Sequence, residues 1–165
     1  MKMLFVILIC ALCLSGCGVE ETFETVGDLW AAPAMADAAQ VKIKLPDSME
    51  VSVMDNPDAG KLYICDDFSV IVQTLSGGDL ARTVQSVTGY DKQKITIINT
   101  EKDDTQVYSC VWSAAGEGGD QICRAVILDD GVYHYAVTVM ADYSLAASLE
   151  DVWNPLLDSV TLSIG

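Results

Sequence analysis

The sequence predicts an α+β domain in which helices pack on the faces of an antiparallel β-sheet. Much of the chain after residue 40 alternates apolar and polar residues, which is typical of half-buried strands. Short turns rich in Gly, Asp and Asn join these segments, and strands joined by short turns run antiparallel. Only two segments carry apolar residues at helical spacing, too few to cover both faces of a parallel sheet.

Three strands and then a helix are predicted in the first half of the domain. The strands are expected at 49–54, 61–65 and 68–75. A turn at 56–60 joins the first two. Leu80, Val84 and Val87 recur on one face of the helix, which begins after the turn ending at Asp79. Gly89 is suited to end this helix, because glycine adopts the left-handed conformation found there.

Four strands, a second helix and a last strand follow in the second half. The strands are expected at 95–99, 105–113, 121–128, 132–140 and 159–164. The Asp129–Gly131 turn carries the Asp-Gly pair that is typical of a tight hairpin. Ser144 is expected to cap the second helix, and Pro155, which lacks an N–H, is expected to kink or end it. The apolar face of that helix comprises Leu145, Leu149, Val152, Trp153 and Leu156.

The N-terminus has the parts of a bacterial lipoprotein export signal. Lys2 supplies the positive start, residues 3–14 form an apolar run, and Leu14-Ser15-Gly16-Cys17 has the lipobox pattern. The run is shorter than the roughly 20 residues that cross a bilayer as a helix. We therefore expect residues 1–16 to be removed and an acylated Cys17 to attach the protein to membrane lipid. An ordinary signal peptide with a coincidental cysteine is the alternative.

A tether and one domain are predicted beyond the signal. Residues 17–40 comprise the lipidated cysteine and an acidic, alanine-rich segment expected to be flexible, and residues 41–165 are long enough for a single domain. Within the tether, a short amphipathic helix resting on the membrane or on the domain is the alternative. Its apolar residues would be Phe23, Val26, Leu29 and Trp30.

The charge of the chain is strongly acidic. With 24 acidic and 9 basic residues the formal net charge is −15, and loss of Lys2 with the signal makes the mature form −16. This charge disfavours binding to nucleic acid phosphates and adsorption to anionic lipid headgroups. Membrane attachment therefore depends on the acyl chains. The acidic surface itself is explained by solubility, with attraction of cations or basic partners as the alternative.

The cysteines allow one disulfide in the exported domain. Three of the six leave with the signal or are acylated: Cys10, Cys13 and Cys17. If the hairpin centres near Gly116 and Glu117, Cys110 and Cys123 face each other directly and can be oxidised outside the cytoplasm. Cys65 would then be free. The alternative is that all three are small buried apolar residues.

No segment carries a recognised catalytic or metal-binding motif. His134 alternates along its strand with Tyr133 and Tyr135. It is either a general base or metal ligand, or a hydrogen-bonded strand residue beneath a helix. The second interpretation is favoured, because no further ligand lies at metal-like spacing. The chain has no Gly-x-Ser-x-Gly elbow and no phosphate-binding loop. Its acidic turns do not match a calcium-binding loop, so no cofactor is expected.

Aromatic side chains offer a further candidate surface. Tyr108 and Trp112 share one face of their strand, and Tyr133 and Tyr135 share one face of theirs. Where a helix covers such a face, these residues belong to the core. Where no helix covers it, they line a cleft for a ligand or peptide.

Four local segments and the order of elements point to a known fold. The segments are Leu45-Pro46-Asp47-Ser48-Met49, Gly89-Tyr90-Asp91, Asp130-Gly131-Val132-Tyr133-His134-Tyr135, and Trp153 through Ser159-Val160-Thr161-Leu162. Over residues 41–165 the chain resembles the Mog1/PsbP-like family, including its bacterial lipoproteins. The resemblance implies an α/β/α sandwich around an antiparallel sheet. Because members of that family are mostly binding or accessory proteins without a shared catalytic motif, no active-site residue carries over.

Three functions are consistent with these features. The favoured function is that of a non-catalytic lipoprotein that binds a protein or ligand. It would lie on the extracytoplasmic face of a membrane, at the cell surface or in the periplasm. A structural accessory of a larger envelope complex is the second. A small envelope enzyme that uses His134 or a free cysteine is the third.

Overall fold

The computed structural model describes residues 37–46, 52–56, 60–116 and 118–163. The predicted signal, Cys17 and the segment with the amphipathic alternative lie outside the described residues. The same holds for the start of the first predicted strand and most of the 56–60 turn.

Strands dominate the described chain. The strands are β1 (Gln40–Lys42), β2 (Ser52–Asn56), β3 (Gly60–Ile64), β4 (Ser69–Ser76), β5 (Ile97–Lys102), β6 (Thr105–Gly116), β7 (Gly119–Asp129), β8 (Tyr133–Asp142) and β9 (Thr161–Ser163). The α-helices are α1 (Leu80–Thr88) and α2 (Ala146–Asp158), and short 3-10 helices span Lys92–Lys94 and Tyr143–Leu145.

Seven of the strands in the described ranges form one sheet, which we call the main sheet. Its order is β2-β3-β4-β8-β7-β6-β5, and every neighbouring pair is antiparallel. The predicted α+β class with an antiparallel sheet is therefore confirmed. β1 and β9 form a separate antiparallel pair with Gln40 opposite Ser163, and Ala38 and Ala39 pack against the core, so the folded unit begins earlier than residue 41.

The two α-helices of the described chain pack on opposite faces of the main sheet. Trp153 of α2 is buried in a cluster with Val126 and Val137, which define the α2 face. Val84 of α1 is buried against Ile127 and Ala136, which define the α1 face. Because strand side chains alternate, these neighbours in sequence belong to opposite faces.

The helix ends follow the sequence only in part. Asp79 accepts hydrogen bonds from the amides of Ala81 and Arg82, and Gly89 ends α1 with φ 76°, as predicted. The predicted cap at Ser144 is wrong, because Asp142 caps the preceding 3-10 helix and accepts from Ser144. Pro155 does not end α2, which continues to Asp158. Pro155 and Asp151 are both exposed, so water can bond the carbonyl that the missing N–H leaves unpaired.

The β6–β7 hairpin turns one residue later than the sequence suggests. Gly116 faces Gly119, which places Cys110 opposite Ala125 and Cys123 opposite Trp112. The expected direct pairing of Cys110 with Cys123 is wrong, and both are buried free thiols, as is Cys65. Diagonal neighbours in a sheet are about 7–8 Å apart, at or beyond the reach of a disulfide.

Candidate functional site

His134 is enclosed on the α1 face. It is 1% exposed, its Nδ1 lies 2.6 Å from Thr83 Oγ1 of α1, and its Nε2 lies 3.3 Å from Asp129 Oδ2 at the end of β7. Both ring nitrogens therefore have protein partners. The geometry matches a hydrogen-bonded strand residue beneath a helix, and it fastens α1 to the sheet.

The order of these three groups is that of a nucleophilic triad. A hydroxyl, an imidazole and a carboxylate follow one another, as catalysis by an activated hydroxyl requires. Thr83, however, is only 3% exposed. A substrate carbonyl cannot reach a hydroxyl enclosed between a helix and a sheet, so the network acts in packing α1.

The three described cysteines are weak nucleophiles. Burial raises the pKa of Cys110 to about 11, and burial also raises the pKa of Cys65 and Cys123, with the charge of Asp66 adding to the effect at Cys65. The thiolate is the reactive form, so these shifts suppress reactivity. Through Ala125, Cys110 aligns with Thr138 of β8, four residues or about 13 Å along the strand from His134.

The acidic turns bond to their own backbone. Asp130 accepts from the amides of Val132 and Tyr133 and from the Tyr135 hydroxyl. Burial alone would raise the pKa of Asp130, but these hydrogen bonds outweigh it and hold the pKa below its usual value. Asp129 likewise accepts from the Gly131 amide. Across the described residues, no three acidic, histidine or cysteine side chains come together as a metal site.

The sheet separates the four predicted ligand-facing aromatics into two pairs. Tyr133 and Tyr135 lie on the α2 face, whereas Tyr108 and Trp112 lie half-buried on the α1 face. Tyr135 is 0% exposed, so of the two alternatives given by the sequence it takes the core position and does not face a ligand. Its hydroxyl donates to Asp130 and accepts from the Ala39 amide. The half-buried Tyr133 packs edge-on against it, with ring centroids 6.2 Å apart.

An open groove lies on the α2 face beside α2. This helix contacts β7 and β8 most extensively, and the surface of β5 and β6 beside it stays partly exposed. Two cavities of about 290 and 330 Å³ adjoin there and share Ser109, Val126, Leu157 and Asp158. We call their combined surface the groove. Its remaining lining includes Ile98, Val111, Arg124 and Asn154 around one cavity, and Thr100, Lys102, Val107 and Val160 around the other.

The floor of the groove includes two exposed apolar side chains at the Arg124 end. Ile98 of β5 is 61% exposed and Val111 of β6 is 53% exposed, and strand register places both on the α2 face. Val111 lies opposite Arg124, whereas Lys102 lies opposite Thr105. Six residues of β6 separate these positions, so the groove is about 20 Å long.

A basic side chain stands at each end of the groove. Arg124 Nη1 donates to Asn154 Oδ1 of α2 at 2.8 Å. Lys102 Nζ donates to the carbonyls of Asp158 and Val160 at 2.8 and 3.5 Å, so it bonds the last carbonyl of α2 and one just beyond the helix. Neither cation forms an ion pair with a carboxylate of the described residues.

Cys110 borders the groove without offering its thiol there. Cys110 and Ala125 lie opposite each other, and alternation places their side chains on the α1 face. The side chains that do line this part of the groove include the hydroxyl of Ser109 and the amide of Asn154.

The sequence contains signals of this groove that the motif search missed. Cys110, Val111 and Trp112 are apolar on both faces of one strand, and Ile97 with Ile98 repeat this in β5. An apolar residue on the face that no helix covers marks an exposed patch. Arg124 is likewise a charge within the apolar run from Ile122 to Leu128.

Solved structures share this architecture. LpqN of Mycobacterium tuberculosis, described as involved in cell envelope biogenesis, is 11% identical with a TM-score of 0.54, over 78% of this chain and 86% of that one. The cyanobacterial PsbP of Synechocystis is 9% identical with a TM-score of 0.53, over 83% of this chain and 100% of that one. The fold is PsbP-like. The resemblance noted in the sequence is therefore confirmed at the level of fold.

A further similarity to a solved structure is partial. A protein from Bacteroides thetaiotaomicron is 8% identical with a TM-score of 0.50, and the match covers 74% of this chain but 45% of that one. No protein-family model and no curated protein sequence matches this chain. At such identities a shared fold leaves function to be argued from the site.

The helices give no membrane span. Among the described residues, none is long and apolar enough to cross a bilayer.

Proposed function

We propose that this chain is a lipid-anchored, extracytoplasmic docking module. Acylated Cys17 attaches it to the membrane, and the groove beside α2 binds a partner protein without performing chemistry on it. The observation that carries the proposal is the exposed apolar pair Ile98 and Val111 lying next to an arginine that has no carboxylate partner in the described chain.

The shape of the groove favours a protein partner. Ligand pockets are typically about 300–1,000 Å³ and enclose most of a bound small molecule. Here two cavities of about 290 and 330 Å³ lie end to end on an open sheet surface next to edge strand β5. An extended surface of this kind is suited to a protein segment.

The chemistry of the lining supports binding over catalysis. Ser109 has no histidine beside it in the groove, and His134 lies on the other face. The thiol of Cys110 also points to the other face and has a raised pKa. An envelope location is supported by the lipobox and by the similarity in fold to a protein described as involved in cell envelope biogenesis.

Site-specific photocrosslinking in intact cells tests the docking function. A photoreactive phenylalanine analogue replaces Ile98 or Val111, and a matched control replaces Gln85, which is exposed on α1 at the other face of the sheet. We expect a discrete protein adduct from the two groove positions and none from Gln85. Equal adducts from Gln85, or none from the groove, would contradict the proposal.

The anchor is tested separately. Replacing Cys17→Ser removes the thiol that is acylated, so we expect an unprocessed or soluble form of different size. Cell fractionation and immunoblotting report both properties. Unchanged size and membrane retention would exclude acylation at Cys17.

A further inference from the structure

We infer that the groove selects an extended peptide segment carrying a carboxylate beside an apolar side chain, with Arg124 as the residue that determines this specificity. The inference rests on the proposed function and names its ligand class. It commits to a protein segment as the occupant, because the groove is open, elongated and bordered by a sheet edge.

Arg124 occupies an unusual place for a cation. It lies on β7, inside the main sheet, with Val111 on one side and the fully buried Val139 on the other. A half-buried guanidinium loses hydration, and this cost is offset only by partners that satisfy its charge and donors. Asn154 supplies a neutral oxygen and no charge.

The guanidinium retains most of its donors for a ligand. Arginine has five N–H groups in a planar fork, and one of them bonds to Asn154 within the described chain. Asn154 therefore orients the fork without neutralising it. A carboxylate can take two parallel hydrogen bonds from such a fork, which favours Asp or Glu over Asn or Gln.

The apolar part of the ligand is placed by the floor of the groove. Ile98 and Val111 lie on the same face as Arg124, and Val111 is its direct cross-strand neighbour. A peptide carboxylate on Arg124 therefore brings an adjacent apolar side chain onto this exposed pair. Burying that surface favours binding, against the cost of ordering the peptide.

The groove also has a direction. Asp158 lines both cavities, and Asp103 and Asp104 form the turn directly after Lys102. Asp158 borders both ends alike, but Asp103 and Asp104 disfavour a second acidic residue at the Lys102 end, where the ammonium group is already bonded to the last carbonyl of α2. The acidic residue of the ligand is therefore expected at the Arg124 end.

Selection from a random displayed peptide library tests the ligand class. The full chain, solubilised in detergent, is the bait, and we expect enrichment of Asp or Glu next to Val, Ile or Leu. A selected peptide is then labelled and titrated against wild-type and Arg124→Met protein. Loss of the guanidinium should weaken binding by about tenfold or more, and so should Asp→Asn or Glu→Gln in the peptide. Lys92→Met removes an exposed cation outside the groove and should have no effect.

A second pair of variants separates binding from folding. Ile98 is exposed, so both Ile98→Glu and Ile98→Lys should fold. Ile98→Glu should weaken binding of the acidic peptide by repulsion, whereas Ile98→Lys should retain it. Equal losses in both variants, or selected peptides without acidic residues, would overturn the inference.

Other occupants give distinct outcomes. If the photoreactive residue at position 98 crosslinks to oleate or to a second copy of the chain, and no peptide competes with that crosslink, the occupant is not a peptide. If crosslinks at Ile98 persist in cells that carry Arg124→Met, docking stands and acidic selection is refuted. If no groove crosslink forms at all, the docking function itself fails.

Discussion

The two faces of the main sheet treat a basic side chain in opposite ways. On the α1 face, His134 is sealed beneath a helix and both its ring nitrogens have partners. On the α2 face, Arg124 is half-buried at an open groove, and one N–H bonds to a neutral amide. The first arrangement is complete without a ligand, whereas in the second the described residues leave donors and charge of the guanidinium unmatched.

This difference bears on how a site is found. The histidine is the obvious candidate, because it is the sole one in the sequence and imidazole side chains often serve as catalytic bases or metal ligands. Its closed network nevertheless points to a structural role. Incomplete hydrogen bonding at a solvent-accessible position is the better indicator, because natural proteins satisfy most polar groups that serve only the fold.

The largest effect is expected on the closed face. His134→Leu leaves the Thr83 hydroxyl and the Asp129 carboxylate without this partner, and we expect the free energy of unfolding to fall by about 3 kcal/mol. Thr83→Val should cost about 1–2 kcal/mol, and the double variant less than the sum, because both changes remove one interaction. Urea unfolding of the four proteins measures this.

Additive losses would contradict the coupling of Thr83 and His134. Peptide binding in the groove provides the control, because these residues lie on the opposite face. A loss of peptide affinity in well-folded Thr83→Val would show that the network on the α1 face is coupled to the groove on the α2 face.

The second expected effect concerns the buried thiols. The pKa of Cys110 is raised from 9.0 to about 11 by burial, so its thiolate fraction near neutral pH is about a hundredfold below that of an ordinary thiol. We expect Cys65, Cys110 and Cys123 to resist iodoacetamide in native protein and to react in urea. Peptide mass spectrometry locates the label. Rapid native labelling of any of the three would revive the cysteine-enzyme alternative.

A smaller effect is expected from Tyr135→Phe. The hydroxyl of Tyr135 joins the core to the β7–β8 turn. The variant loses the hydroxyl that donates to Asp130 and accepts from the Ala39 amide, and it should be less stable by about 1–2 kcal/mol at neutral pH. Burial, followed by the bond to Asp130, raises the pKa of Tyr135 from 10.0 to about 12.

The pH dependence of this difference has a definite sign. A raised folded pKa means that the stabilisation is full below pH 10 and is lost as the pH rises towards about 12, so wild type and variant should converge there. At the acidic end, the lowered pKa of Asp130 stabilises wild type above its usual value of 3.8, and this gain is lost as the pH falls below it. Denaturant unfolding at several pH values measures both limits. A constant difference across the alkaline range would contradict the raised pKa of Tyr135.

The sequence predicts the parts of the fold that depend on local patterns. Alternation locates the strands, and Asp79 and Gly89 bound α1 because capping and left-handed backbone are local properties. β1 was missed, since three residues pairing with distant Thr161–Ser163 leave no local pattern. The cysteine register failed because a turn displaced by one residue changes every cross-strand partner.

The candidate site was less predictable for a related reason. Whether Val111 or Tyr135 is exposed depends on which strands α2 covers, and this follows from packing between distant elements. Alternation leaves Tyr135 either in the core or at a ligand, and it lies in the core, whereas Val111 lies in the groove without any local signal of which face is exposed. The pattern of polar and apolar residues within one strand does not show whether α2 packs over that strand.

The smallest effect on stability is expected from Arg124→Met, which distinguishes a role of this arginine in folding from a role in binding. Methionine keeps much of the length and apolar stem of arginine but removes a charge that no described carboxylate balances. Replacing a partly buried charge by an apolar group of similar volume is often neutral or stabilising. We therefore expect the free energy of unfolding in urea to stay within about 1 kcal/mol of wild type or to rise. A loss as large as that of His134→Leu would show that Arg124 serves the fold. An unchanged or raised stability would mean that the arginine is not there for folding, as expected of a side chain whose partner is a ligand.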